Sequence, residues 1–102
     1  MIIFNGSLQK IIENWGINAY GANSPLTWSA VVTELDSGRP FIIGWQWKGG
    51  GAHVMVGYGY DKKGEYVHYM DPWYGYTKSL YSWMLDAFDH RWGQTLLMTK
   101  NK

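Results

Sequence analysis

Two runs, HVMVGYGYD at 53–61 and EYVHYMD at 65–71, alternate side-chain character and are separated only by Lys62-Lys63-Gly64. Alternation with period two is the mark of a β-strand with one buried face. A three-residue connector with glycine in the left-handed position suits a hairpin. Strands joined by so little chain must pair antiparallel, and the pairing decides which side chains share a face. With Asp61 opposite Glu65, Met55 falls opposite Asp71 and His53 opposite Trp73. His53, Met55 and Asp71 then project on one side, with His53 and Asp71 as diagonal neighbours roughly 7–8 Å apart at the backbone. An imidazole N–H reaches a carboxylate over that span. Pro72 cannot donate to the ladder and holds Asp71 extended, so pairing ends there, at a sheet rim. The same register puts His68 on the opposite face with Tyr66 and Met70, as an ordinary sheet histidine. His90, in the polar stretch DAFDHRW, reads as solvated surface.

The rest of the chain supplies the layers around this hairpin. Ser7 followed by LQKIIENW predicts a helix with Leu8, Ile11, Ile12 and Trp15 on one face and Gly16 as its stop. INAYGANSP runs extended into a turn. A second helix is expected from about Thr27, a good N-cap, through Leu35. Its stripe is Trp28, Val31, Val32 and Leu35, and Asp36-Ser37-Gly38 ends it. PFIIGWQW at 40–47 predicts a largely buried strand, and Lys48-Gly49-Gly50-Gly51 a flexible connector. WGQTLLMTK at 92–100 reads as a last strand, with a helix or turn around 79–89. Helices at about 7–36 followed by a mainly antiparallel sheet at about 40–100 make an α+β fold, in one domain spanning 1–102.

Composition narrows the functions. The net charge is +1, with both signs mixed along the chain, so neither nucleic acid nor an anionic membrane is expected as a partner. MIIF is too short for a signal-peptide core and lacks a basic leader, so no targeting segment is read and the compartment stays open. No cysteine is present, which excludes disulfides, thiolate metal ligands and a cysteine nucleophile within this chain. No third ligand stands at metal-binding spacing from His53 and Asp71, and no cofactor is expected. Seven Trp, eight Tyr and three Phe in 102 residues let a small domain build a core from few side chains. The same aromatics also offer material for a peptide or glycan groove.

His53 and Asp71 fit two readings: a stabilising hydrogen bond at a strand end, or a general base with its orienting acid. The order of motifs adds a resemblance. GRPFIIGWQW, then GGAHVMVGYGYD, then EYVHYMDPWYG resembles the second half of a papain-like cysteine peptidase, most of all the bacterial C39-like and AvrRpt2-like branches. The likeness covers about residues 26 to 99 and is most specific at 50–61 and 71–75. It implies the sheet half of a papain-like fold. It also implies His53 as general base, Asp71 as the residue that orients its imidazole, and Trp73 as the ring covering the pair. The chain departs from the pattern by lacking the cysteine helix start and the glutamine before it. PLTWSA at 25–30, with Thr27 in the cysteine's place, reads better as the short helix directly before GRP. Gln46 and Gln94, on downstream strands, are poor oxyanion donors.

The expectation is therefore a cysteine peptidase-related domain that holds the base and its orienter but no nucleophile, inactive as an isolated chain. The alternative is a non-catalytic module in which Trp45, Trp47, Trp73 and Tyr74 line a peptide or glycan groove, or an oligomerisation domain. The expected partners are a peptide or protein ligand, and either a cysteine-bearing segment from elsewhere or a second copy of the chain.

Overall fold

The computed structural model describes residues 17–101. In chain order the elements are β1 (Ile17–Ala22), α1 (Trp28–Asp36), β2 (Phe41–Trp47), β3 (Ala52–Asp61), β4 (Tyr66–Asp71), β5 (Gly75–Leu80), α2 (Tyr81–Leu85) and β6 (His90–Asn101). The fold is α+β, as expected: two helices among the described residues and one six-stranded sheet, ordered β1-β6-β2-β3-β4-β5 with every pairing antiparallel. The helix expected at 7–15 lies outside the described residues. Two strands exceed the expectation. The extended INAYGA becomes β1 on the outer side of β6, so the sheet draws on chain ahead of residue 40. GYTKSL becomes β5, beyond the Pro72 that was expected to end the pairing.

The second helix forms for the reasons its sequence supplies. The Thr27 hydroxyl accepts the Ala30 N–H at 3.1 Å, Val31 is fully buried, and Gly38 takes φ 76° just past the end. Thr27 therefore spends its side chain as a cap. At the exit, Arg39 grips Glu34 through two hydrogen bonds of 3.0 and 3.2 Å. The neighbouring carboxylate raises the Arg39 pKa further, chiefly through that hydrogen bond.

The hairpin of β3 and β4 corrects the expected turn and keeps its consequence. Asp61 pairs with Tyr66 instead of Glu65, because Gly64 (φ 83°) and Glu65 (φ 55°) are both left-handed and the loop needs four residues. A one-residue slip follows: Tyr60 faces Val67 and Gly59 faces His68. A bulge at Tyr58 then removes it, so that Gly57 faces Tyr69 and Val56 faces Met70. Beyond the bulge the expected register holds, and His53, Met55 and Asp71 are all buried. His68 lies on the other face, its Nε2 2.9 Å from Asp61.

The core sits on that one face. Phe41, Ile43 and Trp45 of β2, Met55 of β3, Val67 and Tyr69 of β4 and Trp92 of β6 pack against Val31 of α1 and Met84 of α2. α1 covers the end of the face where Trp28 meets Tyr60 edge-on at 5.8 Å. At the other end, around His53 and Asp71, the face opens.

Candidate functional site

His53 and Asp71 are brought to the open end by different strands. β3 begins after a tight turn in which Trp47 N–H donates to Gly51 O at 3.0 Å, with Gly50 and Gly51 at φ 107° and 93°. The glycines expected to be a flexible connector thus form a hydrogen-bonded turn, which aligns His53 opposite Trp45. Asp71 closes β4, and Pro72-Trp73-Tyr74 carries the chain over into β5.

His53 Nε2 lies 2.9 Å from Asp71 Oδ1, with both residues 5% exposed. The same oxygen accepts the Trp73 backbone N–H at 2.8 Å, an aspartate-anchored turn that sets the carboxylate's angle. With Nε2–H donating to Asp71, the neutral ring carries its lone pair on Nδ1. Trp73, 64% exposed, places its indole 4.2 Å from the imidazole centroid, and Trp47 lies 5.6 Å away on a nearly parallel plane. Water is thereby kept from the pair, and a hydrogen bond between partly charged groups strengthens when water is excluded.

A cavity of about 380 Å³ opens beside the pair. All six residues singled out from the sequence line it: His53, Asp71, Trp45, Trp47, Trp73 and Tyr74. They divide by exposure. Tyr74 (81% exposed) and Trp73 stand at the mouth, while Trp45 (4%) forms the floor, more deeply buried than an open groove requires. The Trp45 Nε1–H is buried and meets no acceptor among the described residues. Tyr69, Thr77, Ser79, Trp83 and Asp89 complete the lining. Burial raises the Tyr69 hydroxyl above its ordinary pKa, against the opposing effect of its hydrogen bond with Ser79 at 2.9 Å.

His90 was expected at the surface and is fully buried. Its ring stacks on Trp45 with centroids 3.7 Å apart and meets Trp83 edge-on at 4.6 Å. Nδ1 lies 2.8 Å from Asp89 and Nε2 2.9 Å from the Trp83 carbonyl. The polar neighbours misled. The signal was parity: His90 lies two residues before Trp92 on one strand, and so shares its core-facing side and faces Trp47 across the ladder. This buried histidine holds the cavity floor in place.

Gln46 and Gln94 do not reach the cavity. They line a separate concavity of about 410 Å³ with Asn23, Ser24 and Arg91, where Gln94 Nε2 donates to Asn23 at 2.9 Å. Thr27, capping α1, lines neither. Among the described residues no three His, Asp or Glu side chains cluster closely enough to hold a metal ion.

A histidine strand, an aspartate closing the neighbouring strand and a covering tryptophan thus meet on one antiparallel sheet. The family follows from comparison. The model of the Peptidase_C39 like family matches residues 1–96, and the chain belongs to that family. The match takes in the first 25 residues, which the resemblance read from about residue 26 had left out. No curated protein matched the chain.

Proposed function

We propose that this chain carries the base-and-orienter part of a C39-like cysteine peptidase centre, and that it is catalytically silent unless a cysteine is supplied from outside it. The reading rests on one observation: Nε2 of His53 is held on Asp71, which leaves Nδ1 as the proton acceptor. In this role Nδ1 withdraws a thiol proton, Asp71 fixes the tautomer and stabilises the resulting imidazolium, and Trp73 shields the pair. The chain has no thiol of its own to activate. On this reading it is the histidine-bearing half of a centre whose other wall comes from a further segment or another chain.

The test is the tautomer. Long-range nitrogen–proton NMR should find the neutral His53 ring protonated at Nε2, and Asp71→Ala should shift that population towards the Nδ1–H form. A neutral ring already protonated at Nδ1 would overturn the assignment. Peptidase assays on the isolated chain should show no turnover. Turnover lost in His53→Ala would mean that some other nucleophile operates.

A second reading has its own support. The exposed Trp73 and Tyr74 at the mouth of the cavity suit a non-catalytic cleft that takes a peptide or a sugar against their ring faces. Saturable quenching of tryptophan fluorescence by short peptides or oligosaccharides, weakened in Trp73→Ala, is expected. A flat titration across both ligand sets would dismiss it.

A further inference from the structure

The cavity beside His53 has one-sided chemistry. Tryptophan and tyrosine make up most of its lining, two carboxylates join them, Asp71 and Asp89, and among the described residues no lysine or arginine does. Asp71 is taken up by His53 and by the Trp73 N–H. Asp89 keeps an oxygen free: His90 Nδ1 lies 2.8 Å from its Oδ1, Oδ2 has no partner among the described residues, and the side chain is 44% exposed. Lys48, whose backbone N–H donates to the Asp89 carbonyl at 3.0 Å, turns its ammonium to Asp86 instead, at 2.6 Å. The accessible rings stand at angles to one another. Tyr74 meets Trp73 at 83°, and the exposed Trp83 rests edge-on against His90, the same residue that holds Asp89.

We propose that this cavity takes a cation, the ammonium or guanidinium head of a lysine or arginine side chain in a peptide. This rests on the second reading, that the cavity is a ligand cleft, and adds the charge of what enters it. An aromatic ring is electron-rich on its face, so a positive group gains from each face it touches, and gains more as water is excluded. Faces set near right angles meet a compact head from more than one side, whereas a flat sugar stacks on a single face. Asp89 Oδ2 supplies the acceptor for an N–H of that head. The apolar stem of the side chain lies along the rings while its head reaches the carboxylate. A neutral side chain of the same length gains only the apolar part, and an acidic one meets Asp89 as a like charge.

The probes are capped tripeptides with lysine, norleucine or glutamate between two glycines, and a neutral trisaccharide, each titrated while the indole N–H signals are followed by NMR. The lysine peptide should bind at least about fivefold tighter than the norleucine peptide, and its advantage should shrink as salt rises. Asp89→Asn should bring the lysine peptide down to the norleucine affinity and leave the norleucine peptide unchanged. Its circular dichroism should match the parent's, because an asparagine oxygen still accepts the His90 Nδ1–H. Trp73→Leu, at an exposed position, keeps apolar bulk but removes a ring face, and should weaken lysine more than norleucine. Norleucine, glutamate or the trisaccharide binding as tightly as lysine would overturn the cation assignment and leave the cleft standing. A lysine preference that survives in both Asp89→Asn and Trp73→Leu would overturn it as well. Silence from every probe would remove the cleft reading and the cation with it.

Discussion

Phe41 and Gly57 show how little freedom one residue can leave another. They face each other across β2 and β3, and a Cβ on Gly57 would stand 2.5 Å from the Phe41 ring, itself fully buried and stacked on Trp92 at 6.0 Å. Gly57→Ala should destabilise the fold by about 1–3 kcal/mol through overpacking, roughly 4–8 °C of Tm per kcal/mol in a domain of this size. Thermal melts by circular dichroism measure it, and an unchanged Tm would mean that the ring moves aside freely. His90 makes the opposite case, a polar residue whose ring is structural. His90→Ala removes a stack on Trp45 and two hydrogen bonds, and should cost about 2–4 kcal/mol by denaturant unfolding. Composition around His90 pointed to the surface, because local polarity says nothing about which face of a strand a position occupies. Parity with Trp92 did say so.

At the scale of elements, the β3–β4 hairpin reached the expected pairing by a longer route. Glu65 at φ 55° is the one non-glycine residue with positive φ among those described, and a left-handed side chain costs roughly 1–2 kcal/mol. Glu65→Gly should therefore raise Tm by a few degrees, and a fall would show that the side chain contributes more than the strain removes. The same hairpin carries a pH-dependent tie. Hydrogen bonds from Lys78 first, and then from His68, hold the Asp61 carboxyl below its ordinary pKa. A carboxylate lowered in the folded state stabilises the fold above its unfolded value of about 4, and that contribution is lost as pH falls through the lowered value. Asp61→Asn should be less stable than the parent at pH 7, and the two Tm curves should converge as pH drops below about 4. Parallel curves through that window would exclude the tie.

For the whole molecule, β2 is the centre of gravity, paired on one side with β3 and on the other with β6, with Phe41, Ile43 and Trp45 buried along it. Its amides should exchange slowest with solvent, since they open only when the sheet does. Amides of β5, last in the strand order among the described residues, should exchange faster. Fast exchange along β2 would place the stable unit elsewhere.

Much of this was legible in the residues. Period-two alternation, a threonine cap and the order of the glycine, histidine and aspartate–proline motifs depend on local sterics and hydrogen bonding, so the sequence by itself determined the α+β class, the central strands and the six residues that gather round one cavity. Long-range packing decided the rest. Whether INAYGA and GYTKSL join the sheet depends on finding partners at its edges, a slip in the turn had to be undone by a bulge at Tyr58, and His90 became floor because Trp45 and Trp83 close over it. Those outcomes are set by residues far apart in the chain: alternation assigns a face, but the edge and the neighbour come only with folding.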